Sequence, residues 1–374
     1  MSDEVVHYEE SDFFSDHKLG RQERKLAKKL DRSKYKKSDQ DQLKNTLPQK
    51  ETTGLTQGIV ISTRSQESIV DASGVRITCT LRGALKKEKG LLKNLIVVGD
   101  IVYFDAQHAI CSIQERKTVL SRADHLSQKK EHLIAANIDQ VLITVSVVDP
   151  TLRPTVIDRY LIAAEKGNMR PIIICNKIDL LENPSYPESE RIEQLQLLKE
   201  CQKTYQRIGI PFLCVSSKTG QNHARIPNDI DLLRKIMKEQ ISVFSGQSGT
   251  GKSSLINTIA GFELKVGKTV DSSRKGAHTT SFAELLLLPF GGYIADTPGI
   301  KSFGIWGVKA SELPAFFPEF IEIAHQCDFA DCSHRPGEHG CAVTQAVEKG
   351  ELSQLRYESY LNILSSIESE HFRR

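Results

Sequence analysis

The stretch that decides the fold reads Gly246-Gln247-Ser248-Gly249-Thr250-Gly251-Lys252-Ser253. It follows an apolar run at 241–244 and precedes a helix-prone run at 254–259, which is the order expected around a phosphate-binding loop. Its glycines let the backbone wrap a polyphosphate, and amides at the helix N-terminus point at the phosphate oxygens. Lys252 can reach the β- and γ-phosphates, and Ser253 can hold Mg²⁺. The pattern predicts a nucleotide-binding domain.

A second motif, of the form Asn-Lys-x-Asp, follows an apolar run and ends at Asp179. The Asp179 carboxylate can accept two hydrogen bonds from N1 and the exocyclic amine of guanine, whereas adenine offers no matching donor pair. We expect Asn176 to tie this segment to the phosphate loop and the Lys177 stem to lie across the base. The Ser-Ser-Lys turn at 216–218 is expected to supply the remaining base contact through a backbone amide. The motifs favour GTP over ATP.

Two later segments carry the groups expected around Mg²⁺ and the γ-phosphate. Asp296 opens an Asp-Thr-Pro-Gly motif and is expected to bind Mg²⁺ through water, while the Gly299 amide senses the γ-phosphate. A threonine hydroxyl of a Gly-Ala-His-Thr-Thr segment, from Thr279 or Thr280, can complete the metal shell. The sequence therefore predicts magnesium bound together with GTP.

The position that often carries a water-orienting glutamine holds Ile300 instead. Hydrolysis then needs another group or a partner. His278 is the local candidate for positioning the attacking water, and the alternative is a structural histidine in a switch segment.

The predicted site residues form two overlapping sets. Nucleotide is predicted to bind at Asn176, Lys177, Asp179, Ser216, Ser217, Lys218, Gly246, Gln247, Ser248, Gly249, Thr250, Gly251, Lys252, Ser253, Ser254, Asp296 and Gly299. Magnesium is predicted to bind at Ser253, Thr279, Thr280 and Asp296.

The order of these motifs implies a circular permutation. In an ordinary GTPase the phosphate loop opens the domain, whereas here Asn176 comes before Gly246. Such a permutation is feasible because domain termini often lie close together. Continuous apolar runs at 141–145 and 171–175, with a helical stretch between them, indicate a doubly wound parallel sheet in a domain at 123–308.

The N-terminal third divides into two parts. Residues 1–53 read as a flexible basic arm, which is either a solvated tail or an RNA contact. Residues 54–122 hold several short β-rich runs, one of them the apolar run at 95–98, and predict a five-stranded barrel of the oligonucleotide-binding (OB) type. Basic residues of one loop fit nucleic-acid binding but are also common in solvated loops. They are Arg82, Lys86, Lys87, Lys89 and Lys93.

The C-terminal part, at 309–374, reads as a mostly helical domain around a metal cluster. Cys327, Cys332, His334 and Cys341 are too closely spaced, among too many polar residues, for an ordinary core. Three thiolates and one imidazole suit a closed, structural Zn²⁺ site. His339 is a rival for the imidazole position.

Composition limits the remaining classes. With 39% hydrophobic and 26% charged residues, the chain reads as globular, and no apolar run approaches a membrane span. We expect a cytoplasmic monomer. The net charge of only +3 means that nucleic-acid affinity must come from local patches. The other five cysteines are expected to be small buried residues: Cys79, Cys111, Cys175, Cys201 and Cys214.

Taken together, these ordered motifs resemble the RsgA (YjeQ) family of circularly permuted GTPases, over residues 55 to 350 or so. The resemblance implies an OB domain, a permuted GTPase domain and a zinc domain, with a role in maturation of the small (30S) ribosomal subunit. It implies rRNA binding, slow GTP hydrolysis stimulated by the subunit, release coupled to hydrolysis, and a part for His278 in catalysis. The family usually has five residues between the zinc histidine and the last cysteine, whereas this chain has six.

Two other functions are also compatible with the sequence. One is a nucleotide-gated RNA-binding scaffold in which hydrolysis is incidental. The other is an ATP-dependent enzyme, which Asp179 disfavours.

Overall fold

The computed structural model describes residues 53–64, 67–82, 95–123, 131–218, 226–261, 283–296 and 308–372. Several predictions lie outside these residues. They concern the arm at 1–52, the basic loop positions 86–93, His278, Thr279, Thr280 and Gly299.

The N-terminal part is a closed five-stranded barrel, as predicted. Its strands run in the order β1-β2-β3-β5-β4, and β4 returns to pair with β1. All pairings are antiparallel except β3 with β5. Buried apolar side chains, such as those of Val60, Val70 and Val102, fill its interior. The strands are β1 (Thr56–Thr63), β2 (Glu67–Ala72), β3 (Val75–Leu81), β4 (Ile101–Phe104) and β5 (Ala109–Ile113).

The apolar run at 95–98 predicts a further strand, but the structure has a buried turn there. The carboxylate of Asp100 accepts a hydrogen bond from the Val97 amide and is paired with Arg116, whose Nε lies 2.7 Å from Oδ1. Only Val98 makes a β-bridge, to Ala135. Apolar periodicity cannot separate a buried turn from a short strand, because both hide their side chains.

A two-stranded hairpin and a parallel sheet follow the barrel. The sheet order is β10-β9-β8-β11-β13-β12, and every pairing is parallel except that of β12 with β13. The hairpin strands are β6 (Val119–Ala123) and β7 (Glu131–Ala136). The sheet strands are β8 (Gln140–Ser146), β9 (Arg170–Asn176), β10 (Phe212–Cys214), β11 (Ile241–Ser245), β12 (Glu284–Leu287) and β13 (Tyr293–Asp296).

Helices cover both faces of this sheet, which is the doubly wound arrangement predicted. Ile173 and Cys175 of β9 pack towards α1 and α2, while Ile172 and Ile174 pack towards α3 and α4. All five scattered cysteines are buried, as expected. The helices are α1 (Pro154–Lys166), α2 (Glu188–Arg207), α3 (Ile230–Met237) and α4 (Lys252–Ala260).

The C-terminal part is mostly helical and packs on α1. Its core stacks Phe317, Phe320 and Tyr360, and Ile162 of α1 joins the same cluster. The elements are a 3-10 helix (Ala310–Phe316), α5 (Pro318–Ala324), α6 (Ala342–Glu348) and α7 (Gln354–Phe372).

A buried ionic cluster joins this part to the sheet domain. Arg356 of α7 is paired with Asp158 of α1, and its Nε lies 2.6 Å from a carboxylate oxygen of Glu319. Tyr205 of α2 donates a 2.9 Å hydrogen bond to Asp158. The guanidinium also lies 4.4 Å from the ring centre of Phe317. Four elements therefore depend on one arginine.

The barrel contacts the strand that leads towards the Asp-Thr-Pro-Gly motif. The Tyr293 hydroxyl donates a 3.0 Å hydrogen bond to Asp71 of β2, and Ser62 of β1 pairs with Glu284 of β12. Among the described residues, no helix is both long and apolar enough to cross a bilayer.

Candidate nucleotide site and metal centre

The phosphate loop lies between β11 and α4, with its glycines in backbone conformations that other residues rarely adopt. Gly246, Gly249 and Gly251 have φ values of 149°, 85° and 84°. A β-carbon added to Gly246 would lie 2.0 Å from the Thr144 carbonyl oxygen, which is closer than atoms can approach. The Lys252 ammonium donates to the carbonyls of Gly246 and Gln247 at 2.8 and 2.6 Å. The lysine side chain thus folds back onto the first two residues of its own loop.

The predicted tie between Asn176 and the phosphate loop is present. The buried side-chain amide of Asn176 donates a 2.9 Å hydrogen bond to the Thr250 carbonyl. A β-carbon on Gly251 would lie 2.5 Å from that same amide nitrogen, so this position also has no room for a side chain. The two motifs pack directly on each other although they are distant in the sequence.

Asp179 is held by two donors from the neighbouring turn. Ser216 Oγ donates to one carboxylate oxygen at 2.8 Å, and Lys218 Nζ lies 2.9 Å from the other. Burial alone would raise the pKa of Asp179, but the hydrogen bonds from Lys218 and Ser216 outweigh it and hold the pKa below its ordinary value. The carboxylate is therefore a pure acceptor at neutral pH, as guanine recognition requires.

Lys177 adopts a left-handed backbone conformation with φ 64°. Its ammonium donates a 2.6 Å hydrogen bond to the Asp149 carbonyl, which also accepts from Ser146 Oγ at 2.9 Å. This hydrogen bond fixes the Lys177 side chain. The side chain lies beside the phosphate loop, since a β-carbon added to Gly251 would be 3.6 Å from Lys177 Cε.

The described site residues meet at one edge of the sheet. Asn176 ends β9, Ser245 ends β11 immediately before the phosphate loop, and Asp296 ends β13. Register places Ser146 beside Asn176, and Ala295 beside Val243. Ligands of doubly wound sheets bind outside the carboxyl ends of the strands, which is where these residues lie.

Two residues that the sequence motifs do not mark contact the turn at 216–218. Asn228 Oδ1 accepts from the Ser216 amide at 3.2 Å. Thr258 Oγ1 lies 3.0 Å from the Ser217 carbonyl and also 3.0 Å from the Ser254 carbonyl of its own helix. Asn228 precedes α3 and Thr258 lies within α4, so neither belongs to a recognisable motif. No local sequence signal could have found them, because each acts across a tertiary contact.

The metal cluster is assembled from all four predicted residues. One donor atom each of Cys327, Cys332, His334 and Cys341 lies within 4.8 Å of the others. His334 Nδ1 is 3.7 Å from the Cys327 sulfur and 3.6 Å from the Cys341 sulfur. Bonds of about 2.3 Å from Zn²⁺ to sulfur place tetrahedral ligands roughly 3.8 Å apart, so the donor set fits this ion.

The structure separates the two candidate histidines. His334 is buried, whereas the side chain of His339 is 92% exposed and lies 3.7 Å from Asp328. The backbone around His334 is fixed by Tyr357, whose hydroxyl donates a 2.9 Å hydrogen bond to the His334 carbonyl. The Thr344 amide faces the Cys341 sulfur at 3.5 Å, an arrangement that stabilises a thiolate.

Comparison with known proteins adds the family. The model of the RsgA GTPase family matches residues 113–306, which is just over half of the chain. The chain belongs to the RsgA GTPase family. It is therefore a GTP-hydrolysing enzyme, with its guanine motif placed before its phosphate loop.

Two curated relatives extend the RsgA match to more than four-fifths of the chain. Each is named a small ribosomal subunit biogenesis GTPase RsgA. The relative from Chlorobaculum tepidum is 35% identical over 325 residues, which cover 83% of this chain and 97% of that protein. The relative from Flavobacterium johnsoniae is 36% identical over 327 residues, covering 85% and 95%.

Solved structures of the same family have the same architecture. YjeQ from Thermotoga maritima is similar with a TM-score of 0.64 and 33% identity, covering 84% of this chain and 98% of that one. YloQ, described as a circularly permuted GTPase, gives a TM-score of 0.63 and 28% identity, covering 87% and 99%. The barrel, the permuted sheet and the helical part with the cysteine-histidine cluster are thus the shared architecture of this family.

Proposed function

We propose that this RsgA-family GTPase is a late assembly factor of the small (30S) ribosomal subunit, which it binds through rRNA in the GTP form and leaves after hydrolysis. The observation that carries this proposal is the match over 97% of a relative that is named a small ribosomal subunit biogenesis GTPase. The proposed division is an arm at 1–53, an OB domain at 54–122, a GTPase domain at 123–308 and a zinc domain at 309–374. The site of action is the cytoplasm, and the protein acts as a monomer.

In the proposed mechanism, Asp179 selects guanine, and Lys252 and the loop amides hold the phosphates. Ser253, Asp296 and a threonine at 279 or 280 would hold Mg²⁺, which would shield the negative charge of the phosphates. The Gly299 amide would contact the γ-phosphate. His278 positions the attacking water. The closeness of Asn176 to Thr250 supports one pocket for base and phosphates.

Zn²⁺ is proposed to be held by Cys327, Cys332, His334 and Cys341. All four positions are taken by protein ligands, so the ion has no open coordination site and organises a surface instead of taking part in chemistry. Phe329, which is 58% exposed, belongs to this surface and lies on the loop between Cys327 and Cys332.

The test is GTP turnover by the full-length protein, alone and with purified small subunits. We expect slow turnover that rises sharply with small subunits and not with large ones. Co-sedimentation at one stated salt concentration should show binding with a GTP analogue and release with GDP, because phosphate contacts depend strongly on salt. Turnover unaffected by small subunits would refute the proposal.

His278→Ala separates an enzyme from a nucleotide-gated scaffold. The variant should bind GTP and the subunit, fail to hydrolyse, and stay bound. A variant that supports subunit maturation normally without turnover would favour the scaffold.

A further inference from the structure

The turn at 216–218 is attached to the rest of the site from two sides. On one side, Asn228 binds both backbone groups of Ser216, because its Oδ1 accepts from the amide at 3.2 Å and its Nδ2 faces the carbonyl at 3.4 Å. On the other side, Thr258 Oγ1 lies 3.0 Å from the Ser217 carbonyl and 3.0 Å from the Ser254 carbonyl of its own helix, and the two oxygens share its one proton. The peptide units of the turn are thus fixed by side chains from α4 and from the segment before α3.

These attachments leave one amide of the turn available for a ligand. The Ser216 amide is taken by Asn228, and the Lys218 amide donates to Ser216 Oγ at 3.3 Å. Within the part of the chain that the structure describes, the Ser217 amide has no protein acceptor. It belongs to the residue whose own carbonyl Thr258 holds.

The chemistry of guanine supplies the matching group. Asp179 can accept the protons of N1 and the exocyclic amine, which leaves the 6-oxo group as an acceptor without a donor. A backbone amide beside Asp179 satisfies it, and Ser216 Oγ already links the turn to Asp179 at 2.8 Å. A donor aimed at one acceptor discriminates strongly, because a base that lacks the acceptor leaves the amide unpaired.

We propose that Thr258 and Asn228 are positioning residues for base specificity, which aim the Ser217 amide at the 6-oxo group of guanine. The inference rests on the proposed base pocket, to which the amide contact of this turn belongs, and adds the two side chains that hold the turn in place. Thr258 lies on the helix that begins at Lys252. The turn at 216–218 is therefore anchored to the helix that follows the phosphate loop. This anchoring fixes the distance between the groups that bind the two ends of the nucleotide.

The test compares three nucleotides on the full-length protein by titration calorimetry. GDP carries all three recognition groups, inosine diphosphate lacks the exocyclic amine, and 6-thioguanosine diphosphate keeps N1–H and the amine but has a weakly accepting sulfur in place of the 6-oxo group. Thr258→Val removes the hydroxyl at nearly constant shape, and Thr258→Ser retains it. Thr204→Val is the matched control, because Thr204 lies on α2 and its hydroxyl contacts Ser353 instead.

Thr258→Val should weaken GDP and inosine diphosphate alike, by about threefold to tenfold, which corresponds to one hydrogen bond. Its affinity for 6-thioguanosine diphosphate should change much less, since sulfur is a weak acceptor for the turn amide. Thr258→Ser and Thr204→Val should bind all three nucleotides as the wild type does. Asn228→Ala should reproduce the pattern of Thr258→Val from the other side of the turn.

Three results would overturn the inference. They are equal weakening of all three nucleotides by Thr258→Val, no weakening of any, and weakening of GDP by Thr204→Val to the same extent. If Thr258→Val unfolds, Asn228→Ala decides by the same criteria. Wild-type protein that does not distinguish GDP from inosine diphosphate would refute the base pocket itself, which is a different outcome.

Discussion

The side-chain amide of Asn176 donates a 2.9 Å hydrogen bond to the main-chain carbonyl of Thr250, joining the guanine motif to the phosphate loop. The two residues are 74 positions apart, and the guanine motif comes first. Permutation therefore changes which motif is made first and leaves the contact between them intact.

Asn176→Asp should abolish this contact, because a carboxylate would oppose the carbonyl inside a buried site. We expect GDP affinity to fall at least about tenfold in calorimetry; unchanged affinity would show that the contact is dispensable.

Asp179→Asn should exchange guanine for xanthine. The carboxamide presents a donor where the carboxylate accepted, which suits the 2-oxo group of xanthine and opposes the amine of guanine. A lost hydrogen bond to a charged group is worth about 1.5–3 kcal/mol, so GDP binding should weaken roughly tenfold to a hundredfold. Competition between GDP and xanthosine diphosphate measures the change. Asp231→Asn, at an exposed acid on α3, is the control and should leave the preference alone.

Guanine discrimination should be independent of pH between about 5 and 8. The ordinary pKa of an aspartate is about 3.9, and the partners of Asp179 hold its pKa below its ordinary value. A lowered pKa means that the contribution of the ionised group is lost only as pH falls below this window. The affinity ratio of GDP to inosine diphosphate, measured by calorimetry across the window, should therefore stay constant. A ratio that declines from pH 7 to pH 5 would contradict full ionisation of Asp179 across this range.

Gly246→Ala should disrupt the phosphate loop. The new methyl group would meet the Thr144 carbonyl, and the φ of 149° already disfavours any side chain. Gly209→Ala is a matched control, because Gly209 has a φ of 74° and no atom within 4 Å of an added β-carbon. We expect Gly246→Ala to lose nucleotide binding, and Gly209→Ala to retain it with a stability cost of about 1 kcal/mol. Nucleotide titration and thermal unfolding measure the two effects.

His334→Ala and His339→Ala should differ in metal content. His334 Nδ1 faces two cysteine sulfurs, whereas His339 is exposed beside Asp328. Elemental analysis should find one zinc per chain in the wild type and in His339→Ala, and much less in His334→Ala. Because zinc binding is coupled to folding, the His334 variant should also unfold at a lower temperature. Equal zinc loss in both variants would refute the assignment.

Arg356→Met should destabilise the contact between α7 and α1. It leaves Asp158 and Glu319 partly or fully buried without a counter-charge. Removing one partner of a buried pair costs about 3–5 kcal/mol, and the double variant with Asp158→Asn should recover part of this loss. Denaturant titration measures the free energy of unfolding. A loss below 1 kcal/mol, the range of exposed pairs, would show that the cluster is not a main contact.

Motif order and spacing predicted much of the site. The phosphate loop, the guanine motif and the four residues of the cysteine-histidine cluster each lie within a short stretch, so their patterns can be recognised without coordinates. The apolar run at 95–98 misled, because a buried turn around Asp100 hides its side chains as a strand would. The structure was also needed to show that His334 is buried beside the cysteines while His339 is exposed, since both lie between the same two cysteines.

The sequence by itself determined the nucleotide, the permutation and the four residues of the cysteine-histidine cluster, because each depends on residue types at fixed local spacing. The tertiary structure alone decided which groups hold those motifs in place: Asn228 and Thr258 on the base turn, and Arg356 between α1 and α7. The physical reason is that these contacts join segments far apart along the chain. A hydroxyl or a guanidinium gives no local sign of its partner until folding brings the two together.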